Sequence, residues 1–172
     1  VILMLIPATR KELSSFLIRA TSFAPSTLDS DEQYTIDNQA LSWQLYDYNG
    51  NSVRFEELND KPVFLNILAT WCPPCIAELP GILELYNDSK ESANFILVSN
   101  ESPEDVKAFA EKNGYTDLPF YFARSTPAAF SSQSIPITFL VSKDGRVVLK
   151  KKGAARWNSD KTKQILKQLN TK

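Results

Sequence analysis

Histidine is absent from all 172 residues. Its absence excludes Ser-His-Asp and Cys-His hydrolases, whose nucleophiles need imidazole as base, along with zinc or copper sites built on imidazole. Cysteine is nearly as scarce. Two residues, Cys72 and Cys75, are too few for the roughly four ligands of a structural zinc site. Excess charge is missing too: 19 basic side chains face 20 acidic ones, a net charge of −1. The sequence therefore lacks the clustered positive charge that nucleic-acid backbones require. The short run Lys150, Lys151, Lys152 reads as the solvated end of a strand. What remains, 43% hydrophobic and 23% charged residues, is ordinary for one globular domain with a modest extension.

Residues 1–6 are all apolar and end at Pro7. A membrane span needs roughly 20 such residues, so this stretch reads as the tail of a longer apolar anchor. No A-x-A-like cleavage pattern follows it, which favours an uncleaved anchor over a secretory signal. Residues 10–23 read as an amphipathic helix, with Leu13, Phe16, Leu17, Ala20 and Phe23 on one stripe. Arg10, Lys11 and Arg19 oppose an outward placement under the positive-inside rule. Residues 24–32, rich in Pro, Ser, Thr and Asp, read as a linker. The expected division is an anchor tail, amphipathic helix and linker over 1–33 and one compact domain over 34–172.

Within that domain, residues 43–48 and 52–55 bracket Asn49-Gly50, a hairpin signal because both residues tolerate positive φ. Residues 61–69 form a nearly continuous apolar run, expected of a central strand buried on both faces. A helix is predicted over 73–88 with Ile76, Leu79, Leu83 and Tyr86 on its stripe, and a second buried strand over 95–99. A helix over 103–113 starts with Pro103 and stops at Gly114. A short strand over 118–122, at most a short helix over 127–131, and a hairpin of 137–142 with 146–150 around Asp144-Gly145 follow. Asn158 or Ser159 caps a last helix ending near Asn170. Strands alternating with helices imply a parallel core, to which the late hairpin adds antiparallel strands.

Trp71-Cys72-Pro73-Pro74-Cys75 falls where the buried strand ends and the helix begins. There the first sulfur sits beside unpaired amides and the positive end of the helix dipole, which favour thiolate. The second lies one turn in, close enough to attack a mixed disulfide formed by the first. Cys72 is thus read as nucleophile and Cys75 as resolving thiol. A structural bridge closing so short a loop would add little stability. Pro73 and Pro74 remove two amide donors near the sulfur, which argues for a less depressed thiol pKa than a donor-rich loop would give.

Trp71 to Cys75, Glu78 and Pro80, and Ile135-Pro136-Ile137-Thr138-Phe139-Leu140 together resemble the thioredoxin superfamily over about residues 34–170. Within it they resemble the TlpA-like branch of membrane-anchored bacterial thiol–disulfide reductases, including those serving cytochrome c maturation. The resemblance implies an α/β thioredoxin-like fold: a central mixed sheet flanked by helices, an N-terminal hairpin, and a helix–strand insertion at 103–122. It implies that Pro136 is cis and faces the cysteines, and that Ile135 offers its backbone to the substrate chain. Trp71, beside Cys72, is expected on the rim of the substrate groove. Thioredoxin carries a buried aspartate where this chain has Asn66, which cannot exchange protons, and the branch makes Glu78 a candidate proton relay for Cys75. A first-turn acid complementing the helix dipole is the competing reading of Glu78. Pro80 is expected to kink the helix. Trp43, Phe64, Phe95, Phe109, Phe139 and Trp157 are expected in the core.

These features predict a protein-disulfide reductase acting on disulfide-bearing client proteins through a Cys72–Cys75 redox pair. No cofactor and no metal are expected. A membrane thiol donor would re-reduce the pair, on the periplasmic side of a bacterial inner membrane, and the domain is expected to be a monomer that binds no nucleic acid. Run in reverse, the same residues make a disulfide-forming oxidase. A thiol peroxidase would want a T-x-x-C context, and the chain has Ala69-Thr70-Trp71 before Cys72. A copper-delivery protein on the same fold would want a histidine.

Overall fold

The computed structural model describes residues 25–171; the apolar stretch 1–6 and the amphipathic stretch 10–23 lie outside the described residues. The strands are β1 (Tyr34–Thr35), β2 (Gln44–Tyr46), β3 (Ser52–Arg54), β4 (Val63–Ile67), β5 (Asn94–Ser99), β6 (Phe120–Phe122), β7 (Ile137–Val141) and β8 (Arg146–Lys152). The helices are α1 (Asn38–Leu41), α2 (Pro73–Ser89), α3 (Pro103–Asn113) and α4 (Asp160–Asn170). Single 3-10 turns occupy Phe55–Leu58 and Ala128–Phe130. All eight strands form one mixed sheet in the order β1-β8-β7-β4-β5-β6-β2-β3. This is a thioredoxin-like α/β fold.

β4 is central because it is apolar on both faces. It runs parallel to β5 and antiparallel to β7. Strand alternation sends Phe64 to one core cluster, with Leu79, Ile82 and Leu85 of α2 and Leu166 of α4. Val63 and Leu65 go to the other, with Phe55, Phe130 and Phe139. By the same period Asn66 faces the side covered by α2, which decides its partners.

The hairpin β2–β3 pairs Leu45 with Val53 across a turn at Gly50, φ 79°. It joins the sheet through Tyr46 opposite Phe122. The helix–strand segment α3–β6 thereby widens the sheet between β5 and the hairpin. α3 begins at Ser102, whose Oγ accepts from the Asp105 amide at 3.1 Å, and stops at Gly114, φ 75°. Ser159, not Asn158, caps α4. α2 runs on through Pro80, whose missing N–H deprives one carbonyl of its partner.

β1 and α1 had no periodic signal to announce them. β1 is two residues long and exists by pairing with Arg146 and Val147 of β8. α1 is one turn held by Asp37, which accepts from the Ala40 amide at 2.9 Å. In the stretch read as a linker, Leu28 donates its N–H to the Val148 carbonyl at 2.8 Å and packs against the core. An apolar residue among polar ones here finds the free edge of β8.

Candidate active site

The turn from β4 into α2 carries the two cysteines. Cys72 is the N-cap of α2, with extended backbone (φ −87°, ψ 111°), and Pro73 and Pro74 are its first two helical residues. Proline suits these positions, where an N–H would find no helical partner. Cys72 and Cys75 are joined as a disulfide, with Cα atoms 5.3 Å apart. Cys72 is 5% exposed and Cys75 fully buried, so only the first cysteine meets solvent. The Ile76 amide is spent on the Cys72 carbonyl at 3.1 Å. The prolines thus leave a donor-poor helix start.

The start of β7 closes over this turn. The Ile135–Pro136 bond is cis, and the Ile135 carbonyl oxygen lies 3.8 Å from Cys72 Sγ. The Pro136 carbonyl accepts from the Gly153 amide at 2.8 Å. Trp71 is 63% exposed, the one large apolar side chain so exposed among the described residues. Cys72, Ile135 and Pro136 therefore meet, with Trp71 at the edge.

Glu78 lies beneath, on the α2 side of Asn66. It is 3% exposed and lies past the first turn of α2, which removes the dipole reading. Its Oε1 accepts from Asn66 Nδ2 at 2.8 Å. Its Oε2 accepts from the Trp157 indole N–H at 2.7 Å and the Ala155 amide at 3.2 Å. Asn66 gives its other amide proton to Thr138 Oγ1 at 2.8 Å, while its Oδ1 finds no protein partner. Burial pushes the Glu78 carboxyl up to about 7, against the downward pull of Trp157, Asn66, Ala155 and the charge of Lys151. A carboxyl poised there exchanges protons near neutrality.

Two groups escaped the sequence reading. Trp157 is in the core as expected, fully buried, but its indole N–H also binds Glu78. Glu101, just past β5, accepts from the Thr70 amide at 2.7 Å, the Thr70 hydroxyl at 2.6 Å and the Ser99 hydroxyl at 2.9 Å. No periodicity marks either contact, since each joins segments far apart in the chain. Among the described residues no three Cys, Asp or Glu side chains gather to hold a metal ion. A cavity of about 620 Å³, lined by Ser142, Lys143, Arg146, Val148 and Ile165 among others, lies at the far end of β7 from Pro136 and is separate from the cysteines.

Residues 36–150 match the model of the AhpC/TSA family. The chain is 34% identical over 125 residues to the thiol–disulfide oxidoreductase ResA of Bacillus cereus, covering 69% of this chain and 70% of that one. It is 33% identical over 114 residues to the ResA of Halalkalibacterium halodurans, where it spans 64% of each chain. Among solved structures, the thioredoxin domain of a thiol–disulfide oxidoreductase from Bacteroides vulgatus superposes with a TM-score of 0.62 at 20% identity, covering 78% of this chain and 99% of that one.

Proposed function

The chain belongs to the AhpC/TSA family, among its ResA-like thioredoxin-fold members, and from that premise we propose that it is a thiol–disulfide oxidoreductase that reduces disulfides of client proteins. The observation that carries this reading is the Cys72–Cys75 pair at the start of α2, its outer sulfur 3.8 Å from the Ile135 carbonyl beside cis Pro136. The ResA names of the relatives support the same chemistry.

In the reduced enzyme, Cys72 thiolate attacks one sulfur of a client disulfide. That S–S bond breaks, a Cys72–client bond forms, and the released client thiolate takes a proton. Cys75 then loses its proton and attacks Cys72 Sγ, which frees the second client thiol and closes the Cys72–Cys75 disulfide. Two electrons pass from the pair to the client. A dithiol donor, which we place in the membrane, reverses the cycle on the enzyme. Glu78, one turn after Cys75 on the same helix face, accepts the Cys75 proton when ionised. An extended client chain would lie along Ile135, with Trp71 at the groove's rim. We place the domain as a monomer on the outer side of a bacterial inner membrane, where disulfide clients persist; among the described residues no helix is long and apolar enough to cross a membrane. Membrane fractionation of the native protein tests the location.

The roles of the cysteines have a direct test. Cys72→Ser abolishes turnover. Cys75→Ser still makes the first attack and accumulates mixed disulfides that appear on non-reducing gels and vanish with dithiothreitol. If Cys72→Ser traps clients and Cys75→Ser does not, the assignment is reversed. Equilibration with glutathione buffers separates the directions: a reductase poises more reducing than the glutathione couple, a disulfide-forming oxidase less.

A further inference from the structure

We propose that Glu101 is a positioning residue for this reaction, gripping Thr70 so that Trp71 and Cys72 are presented to the client in one fixed arrangement. The inference rests on the thiol–disulfide reading above.

The grip follows from strand register. β4 and β5 run parallel with Ile67 beside Val98, and the Leu68 amide continues the ladder to the Val98 carbonyl at 3.0 Å. The two chains leave the sheet side by side, so Thr70, three residues past Ile67, meets Glu101, three past Val98. Ligand sites in parallel sheets gather at these carboxyl ends. Glu101 is itself held from both sides. Its amide donates to Ser99 Oγ at 3.1 Å, and the next residue, Ser102, is the N-cap of α3.

One oxygen of the Glu101 carboxylate takes the Thr70 hydroxyl, and the other takes the Thr70 amide and the Ser99 hydroxyl. Leu68, Ala69 and Cys72 are buried in the core at either end of this turn, and between them Glu101 supplies the side-chain hydrogen bonds found among the described residues. Past Leu68, the backbone is fixed at the Cys72 amide, which donates to the Ala69 carbonyl at 3.2 Å. Trp71 is 63% exposed, so packing cannot fix it, and its indole N–H has no acceptor among the described residues. Its place depends on its neighbours Thr70 and Cys72. Glu78 does not reach this segment, because its three donors are Asn66, Ala155 and Trp157.

The test compares Glu101→Ala, Glu101→Gln and Thr70→Val in the full chain, on a protein disulfide (insulin) and on a small aromatic disulfide, 5,5′-dithiobis(2-nitrobenzoate). Small disulfides need only an accessible Cys72, whereas a protein also needs the rim in place. Glu101→Ala raises KM for insulin about ten-fold, leaves kcat and the small-disulfide rate within about two-fold, and shifts Trp71 fluorescence. Glutamine restores most of the loss, since its carbonyl accepts from the Thr70 amide and its NH2 donates to the Thr70 hydroxyl oxygen. Thr70→Val keeps the amide bond, loses the hydroxyl bond and falls between; it carries the test if Glu101→Ala does not fold. Unchanged KM in Glu101→Ala and Thr70→Val overturns the proposal. So does an equal loss on both disulfides, which would mean general loosening, and so does glutamine behaving like alanine, which would make charge the cause. A wild-type chain that turns over neither disulfide would instead sink the redox reading itself.

Discussion

Glu78 and Glu101 are both tied to the segment that carries the cysteines, yet the same side chain has very different surroundings at the two positions. Glu78 is sealed under α2 and meets only neutral donors, the Asn66 amide, the Ala155 amide and the Trp157 indole. Their pull does not cancel the loss of water, and the carboxyl is pushed up to about 7. Glu101 is partly buried at the mouth of the sheet and spends its oxygens on Thr70 and Ser99. The first site suits a proton that comes and goes; the second suits a grip. Burial, more than the number of hydrogen bonds, separates them.

The largest effect that would break this contrast comes from Glu78→Gln. If Glu78 takes the Cys75 proton, the resolving rate of the wild type rises with pH through about 7, as the carboxyl ionises. The glutamine variant loses that inflection and runs at least about ten-fold slower above it. Stopped-flow rates of mixed-disulfide resolution across pH 5.5–8.5 give the answer, and an unchanged profile removes Glu78 from proton transfer. Glu101→Gln leaves the inflection in place.

Stability measures the same group independently. The carboxyl's folded pKa stands above its ordinary value of 4.5, so between those two pH values the folded chain binds more protons than the unfolded one. The contribution is full below about 4.5 and is lost as pH rises to about 7, a fall of about 3 kcal/mol at most. Urea titrations at pH 5 and pH 8 should show Glu78→Gln with a smaller loss than the wild type; equal losses would mean that burial does not penalise the charge.

Trp157→Phe is a gentler change. It removes the shortest bond to the ionised form, so the rate inflection moves above 7 by about one unit, and the trimmed core costs about 1–2 kcal/mol. A downward move in the inflection would show that the indole does not stabilise the carboxylate. Thr138→Val, which takes one acceptor from Asn66, should be smallest: about 1 kcal/mol in thermal denaturation, with the inflection shifted by less than about half a unit.

Much of this was legible in the residues. The apolar run 61–69 reads as an inner strand, and Val63–Ile67 within it is one. Pro103 and Gly114 bounded α3, whose Ser102 cap the structure added, and Asn49-Gly50 and Asp144-Gly145 marked their turns. Signals of this kind are local, because caps, turns and periodicity act within a few residues. The 34% identity to a ResA protein agrees with what Trp71 to Cys75, Glu78 and Ile135-Pro136 suggested together.

By itself, then, the sequence determined which chemistry was open to this chain. With two cysteines and no histidine, a Cys72–Cys75 pair at a strand-to-helix junction left thiol exchange as the reading. Only the tertiary structure decided what surrounds the two carboxylates near that pair. Trp157 is 79 residues from Glu78, and Glu101 is 31 residues from Thr70. Local periodicity places a side chain on a face of its own strand or helix but says nothing of what the sheet folds against that face. Burial at Glu78 and parallel register at Glu101 are properties of the assembled sheet, which no local pattern in the chain carries.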